Sequence, residues 1–173
     1  MRIKACLITY LLISITVFSA VAAGEPDEKL GMFAGLLGKQ WEGRFEDAEE
    51  PIGLEMNWEV VLDGSAVEMK GKSSGLTRRN VYYWDSAEKR VAYLALTSNG
   101  YIGTGYVAYE DSVLTFVGPI ISPDGRVNDA KACWEFLPDG HILAVGYIKK
   151  GDDWQAGHKI RYFPKEQQQQ AKR

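Results

Sequence analysis

The chain has 173 residues, with 20 Lys and Arg against 23 Asp and Glu. That mildly acidic balance argues against nucleic acid as a main partner, because phosphate binding relies on clustered Lys and Arg. Two histidines and one cysteine outside the N-terminal apolar run, without ligand-like spacing, argue against a zinc site.

Met1-Arg2-Ile3-Lys4 is a short basic start, followed by an apolar run from Ala5 to about Phe18 and the small residues Ser19 to Gly24. This is the composition of a secretory signal peptide with an Ala-x-Ala cleavage pattern, and residues 1–23 are assigned to it. An uncleaved anchor is the rival reading, since the run is close to bilayer length, but no basic stop follows it. Cleavage implies an exported protein, periplasmic or extracellular, with no stable membrane insertion. Loss of Arg2 and Lys4 leaves 18 basic side chains against 23 acidic ones. Only Cys133 survives processing, so no internal disulfide can form and the core must hold the domain together. Cys133 itself reads as a small buried hydrophobe.

Residues 24–38 are expected to hold a short helix. In PDEKLGMFAGLLG, Leu30, Phe33, Leu36 and Leu37 recur at helical intervals after an acidic start, and Gly38 closes the run. Beyond it the pattern becomes that of strands. In LEMNWEVV, Leu54, Met56, Trp58 and Val60 alternate with Glu55, Asn57 and Glu59, the mark of a sheet with one wet face. Asp63-Gly64 turns the chain into a partner strand from Ser65 to Lys70, and NVYYWD and Arg90 to Thr97 follow. Asn99-Gly100 is a hairpin signal that leads into SNGYIGTGYVAY, a strand carrying Gly103 and Gly105 where a barrel wall would bend.

Glu110-Asp111-Ser112 turns into SVLTFVG, and Pro123-Asp124-Gly125 and Pro138-Asp139-Gly140 bracket a strand around Ala132 to Leu137. Ile142 to Ile148 and Trp154 to Phe163 form a final pair. The spacing predicts an all-β fold, an antiparallel up-and-down barrel of about eight to ten strands over residues 39–164. Closure is preferred to an open sandwich because a long meander would otherwise expose unpaired edges. Residues 165–173 form a polar tail expected to be disordered.

The run LLGKQWEGRFE and the layout of RRNVYYWDSAEKRVAYLALTSNGYIGTGYVAYEDSVLTFVG resemble the bacterial lipocalin-like family of unknown function, which belongs with the calycin-type barrels. The resemblance covers roughly Leu36 to Phe163. It implies a barrel closed at one end, with the N-terminal helix near a mouth, and no known enzyme activity. Gly38-Lys39-Gln40-Trp41 is one residue longer than the glycine and tryptophan spacing of lipocalins proper. Adjacent Arg161 and Tyr162 lack the two-residue spacing of the carboxylate clamp in fatty-acid-binding barrels. Trp41-Glu42-Gly43 matches only the start of the opening motif of nitrobindin-type haem barrels, because Phe45 stands where its second glycine belongs.

Among residues that carry chemistry, His158 stands out. On a regular strand it shares a face with Trp154, Ala156, Ile160 and Tyr162, and would point inward as a haem ligand, as an anchor for a polar ligand group, or as a core histidine with a satisfied hydrogen bond. His141 reads as an exposed turn residue. Glu46-Asp47-Ala48-Glu49-Glu50-Pro51 lacks calcium-loop spacing and reads as a solvated turn. Lys70, Lys72, Arg78 and Arg79 read as one basic rim cluster, which either meets an acidic ligand or balances the acidic loop. No nucleophile elbow or comparable catalytic cue is present. Large aromatics on the apolar faces either line a pocket or fill a core. The resulting expectation is a non-catalytic barrel for a small apolar ligand, lined by Met56, Trp58, Tyr83, Trp134, Phe136, Trp154, His158 and Tyr162. The alternatives are a structural or protein-interaction barrel without ligand, and a haem barrel using His158.

Overall fold

In the second strand Met56 and Trp58 are buried while Glu55 is exposed and Asn57 and Glu59 half-buried, so period-two alternation has become an inside and an outside. The computed structural model describes residues 25–46 and 53–165. In it the chain forms a closed antiparallel barrel of ten strands: β1 (Gln40–Phe45), β2 (Leu54–Val61), β3 (Ala66–Ser73), β4 (Leu76–Asp85), β5 (Arg90–Thr97), β6 (Ile102–Glu110), β7 (Val113–Ile121), β8 (Val127–Phe136), β9 (Ile142–Lys150) and β10 (Asp153–Pro164). Every strand pairs with its neighbours in sequence, and β10 returns to pair with β1, leaving no open edge. The turns expected at Asp63-Gly64, Asn99-Gly100 and Asp111-Ser112 are where the strands reverse. β8 begins at Val127, five residues ahead of the strand read around Ala132.

The N-terminal helix is a 3₁₀ helix over Glu28–Phe33, with the Asp27 carboxylate accepting from the Lys29 N–H at 2.9 Å. The reason lies in the spacing. Leu30, Phe33 and Leu36 are three apart, which suits three residues per turn, and all three are fully buried. They enter one end of the barrel, where the Phe33 ring stands 5.6 Å from Trp58 and 4.7 Å from Tyr82. Trp41 Nε1 donates to the Leu36 carbonyl at 3.3 Å, and the Asp27 N–H donates to the Gly64 carbonyl at 2.9 Å. These bonds fix the plug against the strands it closes.

Two glycines are required by their neighbours. Gly105 has φ +153°, and a β-carbon there would collide with the Val117 carbonyl oxygen. At that point β6 and β7 approach backbone to backbone, opposite Gly118 and Pro119, so no side chain fits between them. Gly43 lies beneath the Tyr162 ring, where a β-carbon would come within 2.5 Å of Cε1. The bare backbone of β1 thus seats an aromatic ring from β10.

One irregularity redirects side chains. The register of β10 on β9 shifts between Ala156 and Lys159, so Gly157 and His158 are the extra length in a bulge. A one-residue slip moves every side chain to the other face. Ile160 and Tyr162 face inward beyond the bulge, whereas Trp154 before it faces out, 38% exposed, with Lys131 Nζ 5.0 Å from its ring centroid. The single face expected for Trp154, Ala156, His158, Ile160 and Tyr162 is therefore broken in two.

Cys133 is on the outer face of β8, paired with Thr115 and Val145 and half-buried, where a core position was expected. Its neighbours Ala132 and Trp134 take the inner face. Of the expected polar tail, Lys165 is tied to the wall by a backbone hydrogen bond to Gln40 and by an ion pair with Glu42 at 3.0 Å. The expected signal segment, the acidic turn at 47–52 and the rest of the tail lie outside the described residues. No helix among the described residues is long and apolar enough to cross a membrane.

Candidate functional site

The two halves of the barrel interior are packed differently. At the plugged end Phe33, Trp58, Tyr82 and Trp134 form a run of ring contacts with centroids 4.7 to 5.8 Å apart. Toward the opposite end, where the β3–β4, β5–β6 and β7–β8 turns lie, the rings give way to hollows. One has a volume of about 360 Å³ and lies between Tyr82, Tyr93, Phe116, Ile120 and Trp134, opening past Leu76, Asn99 and Tyr101. Gly103 and Ala95 are opposite one another on its wall and leave it wide. A second hollow of about 510 Å³ shares Tyr93, Phe116 and Ile120 and extends to Gly146 and Gly157 beside the bulge. A third, of about 160 Å³, is bounded by Met56, Trp134, Ile160 and Tyr162.

Polar groups enter this space along one strand. On β4 the even-numbered residues face inward, so Leu76, Arg78, Asn80 and Tyr82 form a column running from the mouth to the middle of the barrel. Arg78 borders all three hollows. Among the described residues it makes no ion pair, whereas Arg79 next to it points outward and binds Glu68 at 2.7 Å. Asn80 is 91% buried by its 9% exposure; its Nδ2 donates to the Tyr82 hydroxyl at 3.0 Å and its Oδ1 has no hydrogen-bond partner. Burial pushes the Tyr82 hydroxyl well above the usual tyrosine range and the Tyr162 hydroxyl up to about 12, and the Arg78 charge opposes both rises. Tyr93 is also raised by burial. All three phenols stay neutral and keep their O–H groups available as donors at neutral pH.

The residues expected to line a ligand site fall into three places. Trp134, Met56 and Tyr162 border the hollows. Trp58 and Phe136 belong to the plugged half: Trp58 is in the ring stack with its Nε1 unpartnered, and Phe136 packs near Gly35 and Tyr109. Tyr83 and Trp154 are on the outer surface. Tyr83 is 42% exposed because β4 presents Tyr82 inward, opposite Val67 of β3, and sends Tyr83 out beside Ala66. His158 is exposed at the bulge, edge-on to Phe45 with centroids 5.1 Å apart, at the open rim. His158 borders none of the three hollows.

The basic rim cluster also divides. Lys70 and Arg79 belong to an outer network with Glu59 and Glu68, in which Lys70 pairs with both carboxylates and lowers the Glu59 pKa. Arg78 alone turns inward. Asn80, Tyr82, Tyr93, Phe116 and Ile120 were not among the expected site residues, and Arg78 was expected only as part of the rim cluster. The signal for the β4 column was the alternation in LTRRNVYYWD, which places Arg78, Asn80 and Tyr82 on one face once the strand is paired against Val67 and Met69. His141 is half-buried in its turn, with Nδ1 2.9 Å from the Asp139 carboxylate. Among the described residues no group of three or more His, Cys, Asp and Glu side chains is placed to hold a metal ion.

The fold and this interior define a class, a closed ten-stranded antiparallel barrel with one end plugged and an apolar chamber open at the other. No family model matches the sequence, and no curated protein does.

Proposed function

We propose that the protein is an exported, non-catalytic barrel of the lipocalin-like kind that binds one small apolar ligand at its open end. The observation that carries this reading is the hollow of about 360 Å³ between Tyr93, Phe116, Ile120 and Trp134, in a barrel whose other half is filled by stacked rings. Small-molecule sites are concave, mostly apolar, about 300 to 1,000 Å³ in volume, and carry a few convergent polar groups. The chamber has that size and that lining, with Arg78, Asn80 and the tyrosine hydroxyls as its polar groups. A barrel serving only as a structural module would gain stability from filling the same space, since buried apolar volume stabilises and voids forfeit contacts.

The test is native mass spectrometry of the protein purified from its own source, before and after organic extraction. The expected result is a co-purified apolar mass in the range of a few hundred daltons that extraction removes. An apoprotein that also ignores neutral hydrophobic dyes would move the reading to a structural barrel.

A further inference from the structure

The outer wall of the barrel has two characters. On β2 and β3 its outward side chains include Glu55, Glu59, Lys70 and Lys72, the wet face that an antiparallel sheet ordinarily shows to water. Across β5, β6 and β7 the outward positions over 92–96, 102–106 and 115–121 carry no charge. The most exposed part of this apolar face is at the open end. There Leu96 pairs with Ile102, Ile102 with Ile121 and Ile121 with Val127, so four successive strands meet their turns with an outward apolar side chain. Leu96 is 45% exposed, Ile102 38% and Val127 63%, and Tyr101 is exposed in the turn beside them.

Contiguous apolar surface of this kind marks a contact face, and two features say which kind. The inward neighbours on the same strands are Ala95, Gly103 and Ile120, which border the hollow of about 360 Å³, so the rim is apolar on both of its faces. A face that docks a protein needs apolar side chains only on the outside, whereas a rim dipped into hydrocarbon needs them on both. The second feature is shape. These residues form an arc around the mouth of a closed barrel. A flat, fluid surface facing the mouth takes the whole arc, but a second copy set against the convex wall meets only part of it. Tyr101 adds a ring with a polar tip, the kind of side chain that favours a membrane–water boundary.

We propose that the open rim docks reversibly on a lipid bilayer, with Leu96, Ile102, Ile121 and Val127 in the hydrocarbon boundary and Tyr101 at the headgroup level. The charges around the arc are balanced. Arg126 is paired with Asp124 at 2.7 Å and Arg79 with Glu68 at 2.7 Å, and Lys149 and Lys150 across the mouth are followed by Asp152 and Asp153. Attachment therefore follows the apolar area buried and not the charge of the lipid. Docking concerns the outer face and requires no occupied chamber.

The experiment is flotation of the purified protein with phosphatidylcholine vesicles and with mixed phosphatidylcholine and phosphatidylglycerol vesicles, at low and at high salt. The protein is expected to float with both, to a similar extent and with little loss in salt, and to sediment as a monomer when lipid is absent. L96S/I102S/V127S should lower the partition coefficient about tenfold or more, with melting temperature and dye binding in the chamber unchanged. E55S, on the wet side of the wall, should float like the parent, and V127K replaces the triple variant if that variant melts lower. No flotation with either vesicle, unchanged flotation in the triple variant, or flotation confined to the anionic vesicles and lost in salt would overturn the proposal. A solution dimer that the triple variant dissociates would overturn it too, and would assign the arc to a second copy. Dye binding is read separately, so loss of the docking inference and loss of the ligand reading are distinguishable.

Discussion

The two ends of this barrel are made from the same wall and closed by different means. At one end the 3₁₀ segment inserts Leu30, Phe33 and Leu36, and Trp58, Tyr82 and Trp134 meet them in continuous ring packing. At the other, the positions that would complete the packing are small: Ala95, Gly103, Ala132, Gly146. A ten-strand wall encloses more volume than its own inward side chains fill at this residue choice, so one end needs a plug and the other is left hollow. Stability is concentrated in the first region, and binding capacity in the second.

That division gives an order of sensitivity. The largest effect is expected for F33A, because a fully buried ring between Trp58 and Tyr82 is lost together with the seal. A loss of about 3–5 kcal/mol in urea unfolding is the expected outcome, whereas I120A, beside an existing hollow, should cost no more than about 1 kcal/mol. Comparable losses at both sites would mean that the two halves are packed alike.

G105A comes next. Its backbone is at φ +153° and its β-carbon would strike the β7 backbone, so a loss of about 2 kcal/mol or more is expected in thermal melting. G146A, at a glycine with nothing within 4 Å of its β-carbon and no positive φ, should be nearly neutral. The pair separates a glycine required by the wall from one that leaves room in the chamber.

The buried phenols make the third comparison. Tyr162 has its pKa raised by burial to about 12, so the folded state keeps a proton that the unfolded chain loses above about pH 10. Stability should thus be unaffected by this group below pH 10 and decline as pH rises through 10 to 12, by about 1.4 kcal/mol per pH unit while only the unfolded phenol is ionised. Y162F should flatten that part of the alkaline decline, as read from urea midpoints at pH 9, 10 and 11. An unchanged alkaline slope in Y162F would contradict the burial of that hydroxyl. The smallest effect is expected on the outer wall: E59Q loses a half-exposed pair with Lys70 and should cost at most about 1 kcal/mol, less at high salt.

What the sequence disclosed follows the same division. Alternation in LEMNWEVV and the Asn-Gly and Asp-Gly turns were enough to give an antiparallel up-and-down barrel and the inward set Met56 and Trp58, because a half-buried strand repeats with period two. Parity failed where local pattern was ambiguous. Tyr82 and Tyr83 are adjacent aromatics, and only pairing with Val67 decides which enters the core. The bulge at Gly157 and His158 adds a residue that no alternation count reveals, and it alone moves Trp154 outside. Arg78 was hidden by Arg79: two consecutive arginines read as one basic patch until the pleat sends them to opposite faces. The plug was visible as an apolar spacing, but the three-residue repeat of Leu30, Phe33 and Leu36, which suits a 3₁₀ turn, read as an ordinary short helix over residues 24–38.

The hollows of the open end are either a binding chamber or loose packing. Titrating a neutral apolar fluorophore into the protein and into A132L decides between them, since Ala132 borders the two larger hollows from the inner face of β8. We expect saturable binding of one dye per protein, lost in an A132L variant that melts at or near the parent temperature. Equal dye binding by parent and variant, or none by the parent after organic extraction, would contradict the binding chamber.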